Sequence, residues 1–309
     1  MTKLYNDYSS YIKTKFGQRV QKISVNAGFT CPNRDGSKGR GGCIYCDNTT
    51  FNPAYSSATK SISQQLLEGI AFFKEKYPIQ EYIAYFQSYS NTYASVDVLK
   101  KLFDEAIATP GIIGLAIATR PDCINKEIID LLSDYAKKLF VVVEFGIEST
   151  LNKTLQTINR CHTWEESKTA IKMTATAGIP VCVHVILGLP GEINNDFILH
   201  AQRISELPVH FIKLHQLQVI KNTTLADYYL LNPDKYRTYT VDEYASIVCE
   251  FLEYLSPKIV VERFTSESPP EKVIAPKWGR LKNFEVTEII RKKLDELGTF
   301  QGRLWDKGE

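Results

Sequence analysis

An α/β fold of six consecutive strand–helix units is predicted for this chain of 309 residues. Two observations predict it. Short, nearly continuous apolar runs recur along the middle of the chain, as expected for parallel strands covered on both faces. Between them lie stretches of helical apolar spacing, separated by Gly and Pro. Such alternation implies parallel βαβ units with right-handed crossovers. They form either a doubly wound sheet or a barrel that stays partly open.

The first strand is expected within QKISVNAGF (21–29). It is followed by YIAYF (82–86), IIGLAIA (112–118), LFVVVEFGI (139–147), IPVCVHVIL (179–187) and VHFIKLHQLQVI (209–220). Ile62, Leu66, Leu67, Ile70 and Phe73 share one face of a helix near 59–76. Further helices are expected at 96–108, 125–138, 163–177 and 193–206, the last with Asn194, Asn195 and Asp196 as capping residues. Pro110-Gly111, Gly178-Ile179-Pro180 and Pro208 divide helices from the strands that follow. A helix near 240–256 and a strand at 258–262 come next, then the breaker ESPP. Phe284, Val286, Ile289, Ile290, Leu294 and Leu297 mark a terminal amphipathic helix. This divides the chain into an N-terminal segment (1–20), a core (21–257) and a C-terminal extension (258–309).

Composition narrows the class. At 44% hydrophobic and 23% charged, the chain reads as an ordinary globular protein. No apolar run approaches a membrane span, and the start MTKLYNDYSSYIKTKFG lacks a signal-peptide core, so a cytoplasmic location is expected. A formal charge of +2 neither demands nor excludes nucleic acid, which needs a local basic patch rather than a basic whole.

The seven cysteines disfavour a disulfide framework and favour metal or redox chemistry. Cys31, Cys43 and Cys46 stand together in CPNRDGSKGRGGCIYC, after the first strand and so at the carboxyl edge of the sheet. Three thiolates from one loop can hold a four-iron, four-sulfur cluster and leave one iron open. Zinc is the competitor, but a structural zinc site closes with four Cys or His ligands. All five histidines lie far downstream; Asp47 offers only a carboxylate. Unliganded thiols remain the third reading. Cys182 and Cys249 sit in apolar surroundings as small hydrophobes, while Cys123 and Cys161 border loops.

The loop C-x11-C-x2-C, with Tyr45 before its last cysteine, resembles the cluster loop of radical S-adenosylmethionine (SAM) enzymes. Its long first interval is similar to that of the Elongator catalytic subunit and its relatives. Other segments resemble that group in order: ATRPDCI (118–124), VEFGIEST (143–150) with NRCH (159–162), VHVILGLPGE (183–192) and IKLHQLQVIKNTTLADYY (212–229). Together with IAPKW (274–278) and QGR (301–303), they resemble the YhcC/YtqA-type branch of the superfamily. The resemblance covers roughly residues 20–303 and implies a partial (β/α)6 TIM-like barrel with a short C-terminal α/β extension.

It also implies roles. Cys31, Cys43 and Cys46 would ligate a 4Fe-4S cluster whose open iron takes SAM, yielding a 5′-deoxyadenosyl radical that abstracts hydrogen from substrate. Tyr45 would meet the adenine, or simply pack beneath the loop. Gln87 and Ser88 stand where the family often has a Gly-Gly turn that meets the methionyl ammonium. Glu148 would bind ribose hydroxyls or the ammonium. Arg160 would pair with the methionyl carboxylate as a two-pronged donor, or be a surface arginine. His184 would face the lumen near the radical, or be a core histidine. Gly188 and Gly191 would let backbone approach the cofactor. Lys213 and His215, two apart on a strand, share a face and would line the substrate side.

The implied substrate is tRNA, at carbon 5 of the wobble uridine. Lys38, Arg40, Lys272, Lys277, Arg280, Lys282, Arg291, Lys292 and Lys293 would meet phosphate or form a solvated face, and Trp278 would stack a flipped base. Flavodoxin or ferredoxin is the expected electron donor. Two rivals stand beside this reading: a radical SAM oxidoreductase acting on a small metabolite or porphyrin, and a non-enzymatic zinc protein that binds RNA.

Overall fold

The computed structural model describes residues 3–47, 53–77 and 80–306. Its strands are β1 (Val20–Val25), β2 (Glu81–Phe86), β3 (Ile112–Thr119), β4 (Phe140–Glu148), β5 (Val181–Leu187), β6 (Phe211–Gln216), β7 (Val219–Ile220), β8 (Val260–Arg263) and β9 (Val273–Ala275). Its helices are α1 (Tyr8–Phe16), α2 (Ile62–Lys74), α3 (Val96–Ile107), α4 (Lys126–Ala136), α5 (Asn152–Thr157), α6 (Trp164–Thr176), α7 (Asn194–Ser205), α8 (Thr224–Leu231), α9 (Val241–Tyr254) and α10 (Asn283–Glu296).

Strand order decides between the two architectures left open by the apolar pattern. β1 to β6 and then β8 lie side by side in chain order, all parallel. A doubly wound sheet reverses its order at a switch point; this one never does. The sheet instead curls into a half-barrel. Lys22 on edge strand β1 reaches Glu262 on the opposite edge strand β8, with Nζ 2.6 Å from Oε1. The 258–262 run, expected in the extension, supplies the seventh strand of the same sheet. The run expected as one strand at 209–220 divides into β6, within the barrel, and β7, which pairs with β9 in a separate antiparallel ribbon.

The helices cover the outside of the curl, and period-two alternation along the strands sends the other side chains inward. The inner cluster contains Ile83, Tyr85, Ala116, Phe140, Cys182, Phe211 and Val260. Helix α1 plugs its lower end. Tyr11 meets Phe211 edge-on at 5.0 Å, and Phe16 meets Phe140 at 5.6 Å. Asp7 caps this helix by accepting the Ser10 N–H at 2.8 Å, and Gly17 ends it at φ 72°.

Helix ends follow the capping rules, with corrections. Thr163 with Glu166 and Thr240 with Glu243 form reciprocal capping boxes on α6 and α9, worth about 1 kcal/mol each. On α7 the cap position belongs to Ile193 rather than Asn194, and Asp196 closes the turn by accepting the Ile193 N–H at 2.9 Å. Leu67 is exposed because Gln65 takes the inward place on α2. There Gln65 Oε1 accepts the Asn26 N–H and its amide donates to Asn26 and Lys60 carbonyls. Phe284 and Leu297 of the terminal pattern are exposed; Val286, Ile290 and Leu294 are buried. The QGR segment clasps the two ends of the chain: Gln301 Nε2 donates to Ser256 and Ile259 carbonyls, while its Oε1 accepts the Asn6 N–H. No helix among the described residues is long and apolar enough to cross a membrane.

Candidate active site

The cysteine loop is folded by its own backbone before it meets the barrel. The Cys31 carbonyl accepts the Arg34 N–H at 2.8 Å, Pro32 accepts from Lys38, Asn33 accepts from Gly42, and Cys43 accepts from Cys46 at 3.0 Å. At Gly42 (φ 81°) a Cβ would stand 2.8 Å from Arg34 Nε, so the turn needs glycine. Ile44 then ties the loop to its neighbours, its N–H donating to Ile158 and its carbonyl accepting from Leu225 at the start of α8.

The loop opens onto a cavity of about 210 Å³ at the carboxyl ends of the strands. Cys31, Cys43 and Cys46 all line it, together with Tyr45, Asp47, Gln87, Glu148, Arg160, His184, Lys213 and His215. Residues chosen from segments over 180 positions apart therefore converge on one space. Ser88 does not join them: it is buried outside the wall, its carbonyl accepting from Asn91. Gly188 and Gly191 also stand outside the wall; at Gly188 a Cβ would meet the Tyr239 ring at 2.9 Å, so helix-side packing requires that glycine.

Three nitrogen donors are aimed at the thiols. Asn33 Nδ2 and Arg160 Nη1 each stand 3.6 Å from Cys43 Sγ, and Arg120 Nη1 stands 3.9 Å from Cys31 Sγ. Arg34 donates to the Cys46 carbonyl at 2.7 Å. Burial and the neighbouring Cys43 push the Cys46 thiol up to about 12, against the pull of Arg34. Binding a metal there therefore expels a proton.

Both arginines are held rigidly. Arg120 forms a two-pronged pair with Asp122, at 2.8 and 2.9 Å, and donates to the Arg160 carbonyl at 2.8 Å. Burial opposes charge on Asp122, but Arg120 and Lys38 hold its carboxyl down at about 2. Arg160 donates to the Gly146 carbonyl at 2.6 Å and to His162 Nε2 at 3.1 Å, and pairs with Glu148 at 3.3 Å. A Cβ at Gly146 would fall 2.5 Å from Glu148 Oε1 and 2.9 Å from Arg160 Nη2. Tyr89, Glu148, Asn159 and Cys161 all adopt positive φ around this wall. Such backbone costs about 1–3 kcal/mol per residue and gathers at functional sites.

Below the cavity lies a buried charged layer of which the sequence singled out only His184 and Lys213. Glu144 accepts from Lys22 at 2.7 Å, from Lys213 at 2.5 Å and from His184 Nε2 at 2.8 Å. Glu262 accepts from Lys22 and pairs with Lys213 at 3.1 Å. Burial alone would raise Glu144, but Lys213 and Lys22 hold its carboxyl well below the usual range. Burial keeps His184 neutral, as a donor to Glu144. Arg120 and Glu144 lie inside ATRPDCI and VEFGIEST, so the signal for them was present in those motifs; Lys22 and Glu262 carried none.

The donor set fits an iron–sulfur cluster. It offers soft thiols with hydrogen-bond donors to sulfur, beside a cavity that leaves room for a further ligand. Two histidines near the thiols are already engaged, since His162 accepts from Arg160 and His184 donates to Glu144; His215 also lines the cavity, on strand β6 rather than on the cysteine loop. Several expected phosphate contacts are otherwise engaged. Lys38 pairs with Asp122, Arg291 with Glu288 and Lys293 with Asp242. Trp278 packs 5.3 Å from Tyr244 and donates to the Tyr239 carbonyl, which removes it as a stacking platform.

Comparison with known proteins agrees with this geometry. The Radical SAM superfamily profile matches residues 30–204, and the Radical_SAM C-terminal domain matches 209–296. Protein MJ0486 of Methanocaldococcus jannaschii is 37% identical over 97% of this chain and 92% of its own length. YtqA of Bacillus subtilis is 32% identical over 99% of this chain and 94% of its own. The tRNA uridine(34) acetyltransferase of M. jannaschii is 26% identical over 60% of this chain and 33% of its own. Among solved structures, Elp3 of Methanocaldococcus infernus superimposes with a TM-score of 0.69 at 16% identity, covering 91% of this chain and 64% of that one. The chain belongs to the radical SAM superfamily, in the group of YtqA and YhcC, whose cofactors are a 4Fe-4S cluster and SAM.

Proposed function

We propose that this enzyme modifies the carbon-5 side chain of the wobble uridine in tRNA, with Cys31, Cys43 and Cys46 holding the cluster. The observation that carries the chemistry is the convergence of three thiols of one loop on a cavity walled by Arg160, Glu148 and Lys213. The likeness over 190 residues to a tRNA uridine(34) acetyltransferase supports the choice of substrate. When bound, the cluster supplies the electron that cleaves SAM to methionine and a hydrogen-abstracting nucleotide radical.

The protein's own groups do the placing. Arg160 engages His162, Cys43, Gly146 and Glu148 with its three nitrogens, and exchanges its Glu148 contact for the carboxylate of SAM, which frees Glu148 for an ammonium or ribose hydroxyls. Tyr45, packed between the loop and the Leu217–Leu225 cluster, bounds the adenine side. Gln87 meets the ligand from the end of β2. The α1 plug and the charged layer close the lumen from below, which keeps bulk water from the reacting centre. Exposed Arg40, Lys277, Arg280 and Lys292 make no ion pair among the described residues and supply the remaining phosphate contacts.

A second reading has an observation of its own: the lumen's small volume and polar floor suit a small metabolite as well as an extruded nucleotide. One comparison separates them. Reconstituted enzyme, SAM and reductant are incubated with tRNA lacking or bearing the modification, and 5′-deoxyadenosine is measured alongside tRNA nucleosides from cells with and without the gene. A changed wobble nucleoside is expected. Unchanged nucleosides, with no response of 5′-deoxyadenosine to tRNA, would reject the tRNA assignment.

A further inference from the structure

The last barrel strand breaks its pleat beside the cavity. In the β6–β8 pairing Ile212 faces Val261 and Lys213 faces Arg263, so Glu262 is an extra residue between them. In a regular strand, consecutive side chains point to opposite faces. A bulge re-aims them and is common beside active sites. Here Glu262 reaches the lumen to pair with Lys22 and Lys213, and Arg263, the next residue, lines the cavity too.

The charge on Arg263 is not spent. Of the other cations on the wall, Lys213 is paired with Glu144 and Glu262, Arg120 with Asp122, and Arg160 with Glu148. Arg34 donates to the Cys46 carbonyl and stands over the Tyr89 ring. The Arg263 side chain makes no ion pair or hydrogen bond among the described residues. His215 on β6 lines the same cavity, and its Nε2 is buried without a partner among the described residues. Burial first, then the nearby His184 and Arg263, hold this imidazole neutral, so it can donate one N–H to an anion without competing for protons. The buried, orphaned His215 nitrogen is costly unless a ligand completes it, and the exposed Arg263 guanidinium leaves its charge for the same ligand.

We propose that Arg263 and His215 form an oxyanion subsite on the β6–β8 wall, which binds a carboxylate or phosphate group of the substrate. The subsite is distinct from the Arg160 side of the cavity, where the carboxylate of SAM is assigned. It rests on the reading of this cavity as the radical SAM site, and not on the choice of tRNA. The bulge is then a specificity device: it supplies one guanidinium to the substrate while Glu262 keeps the underlying lysines neutralised.

The test is calorimetric titration of acetate and, separately, inorganic phosphate into the reconstituted holoenzyme saturated with SAM, at constant ionic strength set with chloride. Saturable binding is expected in at least one arm, and the arm that binds identifies a carboxylate or a phosphate as the natural group. Arg263→Gln weakens it by about tenfold or more, the loss expected for one charge-assisted contact, whereas Arg263→Lys retains most of it. SAM affinity and unfolding temperature stay at wild-type values in both variants, because Arg263 is exposed and holds no structural contact. Three results overturn the proposal: no saturable binding of either anion, undiminished binding in Arg263→Gln, or weakened SAM binding in that variant. None depends on tRNA turnover, so failure here is separable from failure of the tRNA assignment.

Discussion

Replacing Glu144 by Gln tests the charged layer on which the cavity rests. The Glu144 side chain is fully buried and is the shared acceptor of Lys22, Lys213 and His184. Gln keeps the shape but removes the charge, leaving two buried lysines against Glu262 alone. Breaking a buried ion pair by removing one partner costs about 3–5 kcal/mol. Because Glu262 still touches both lysines, at 2.6 and 3.1 Å, the lower end applies, about 3 kcal/mol. For a chain of this size that lowers the unfolding temperature by roughly 6 °C, at roughly 2 °C per kcal/mol. Scanning calorimetry on the anaerobic holoenzyme measures it. Lys213→Met in the same chain withdraws the stranded cation, so the double variant is more stable than the sum of the singles by about 1–3 kcal/mol. A single-variant loss below about 1 kcal/mol, or strict additivity in the double, refutes the reasoning.

Two further outcomes follow from the site. Burial, Arg160 and Arg120 push His162 from 6.5 down to about 3, so the unfolded chain binds a proton between those pH values that the folded chain refuses. Stability conferred by this residue is therefore full above pH 6.5 and falls as pH drops toward 3, by about 1.4 kcal/mol per pH unit. His162→Gln flattens the profile by that slope in denaturant titrations across the window; parallel profiles would contradict it. Gly39→Ala places a Cβ 2.2 Å from Asn33 Oδ1 and 2.9 Å from Cys161 Sγ. Asn33 must move off Cys43, and iron and sulfide per chain fall while the barrel stays folded. Full loading of this variant would remove Asn33 from the account.

The strands were legible because a parallel strand covered on both faces leaves a continuous apolar run, and each of the six expected runs supplies one barrel strand, although 209–220 continues into β7 outside the barrel. Apolar runs alone did not choose between barrel and doubly wound sheet, since both produce the same run; the motif resemblance implied the partial barrel, and the pairing order agrees with it. The site's converging residues were legible where a motif held them, as with Cys31, Cys43, Cys46 and Arg160. Glu144 went unnoticed inside VEFGIEST because a lone acid in an apolar strand looks like noise until Lys22 and Lys213 are brought to it from 122 and 69 positions away. The Glu262–Arg263 bulge leaves no trace in periodicity, and the N-terminal plug α1 falls in the 1–20 segment, where the sequence analysis places no element. Trp278 shows the opposite failure: an aromatic near basic residues suggested stacking, while the fold had used its ring for packing.

The central claim is that three thiols of one loop hold a cluster that cleaves SAM beside this cavity. It is tested most directly by reconstituting the chain without oxygen and assaying iron, sulfide and zinc, then 5′-deoxyadenosine after reduction with SAM present, in the wild type and in Cys43→Ala. The wild type is expected to carry one 4Fe-4S cluster per chain and form 5′-deoxyadenosine, and the variant to lose both. A colourless wild-type protein filled with zinc and inert toward SAM, or a variant as active as the wild type, would contradict the account.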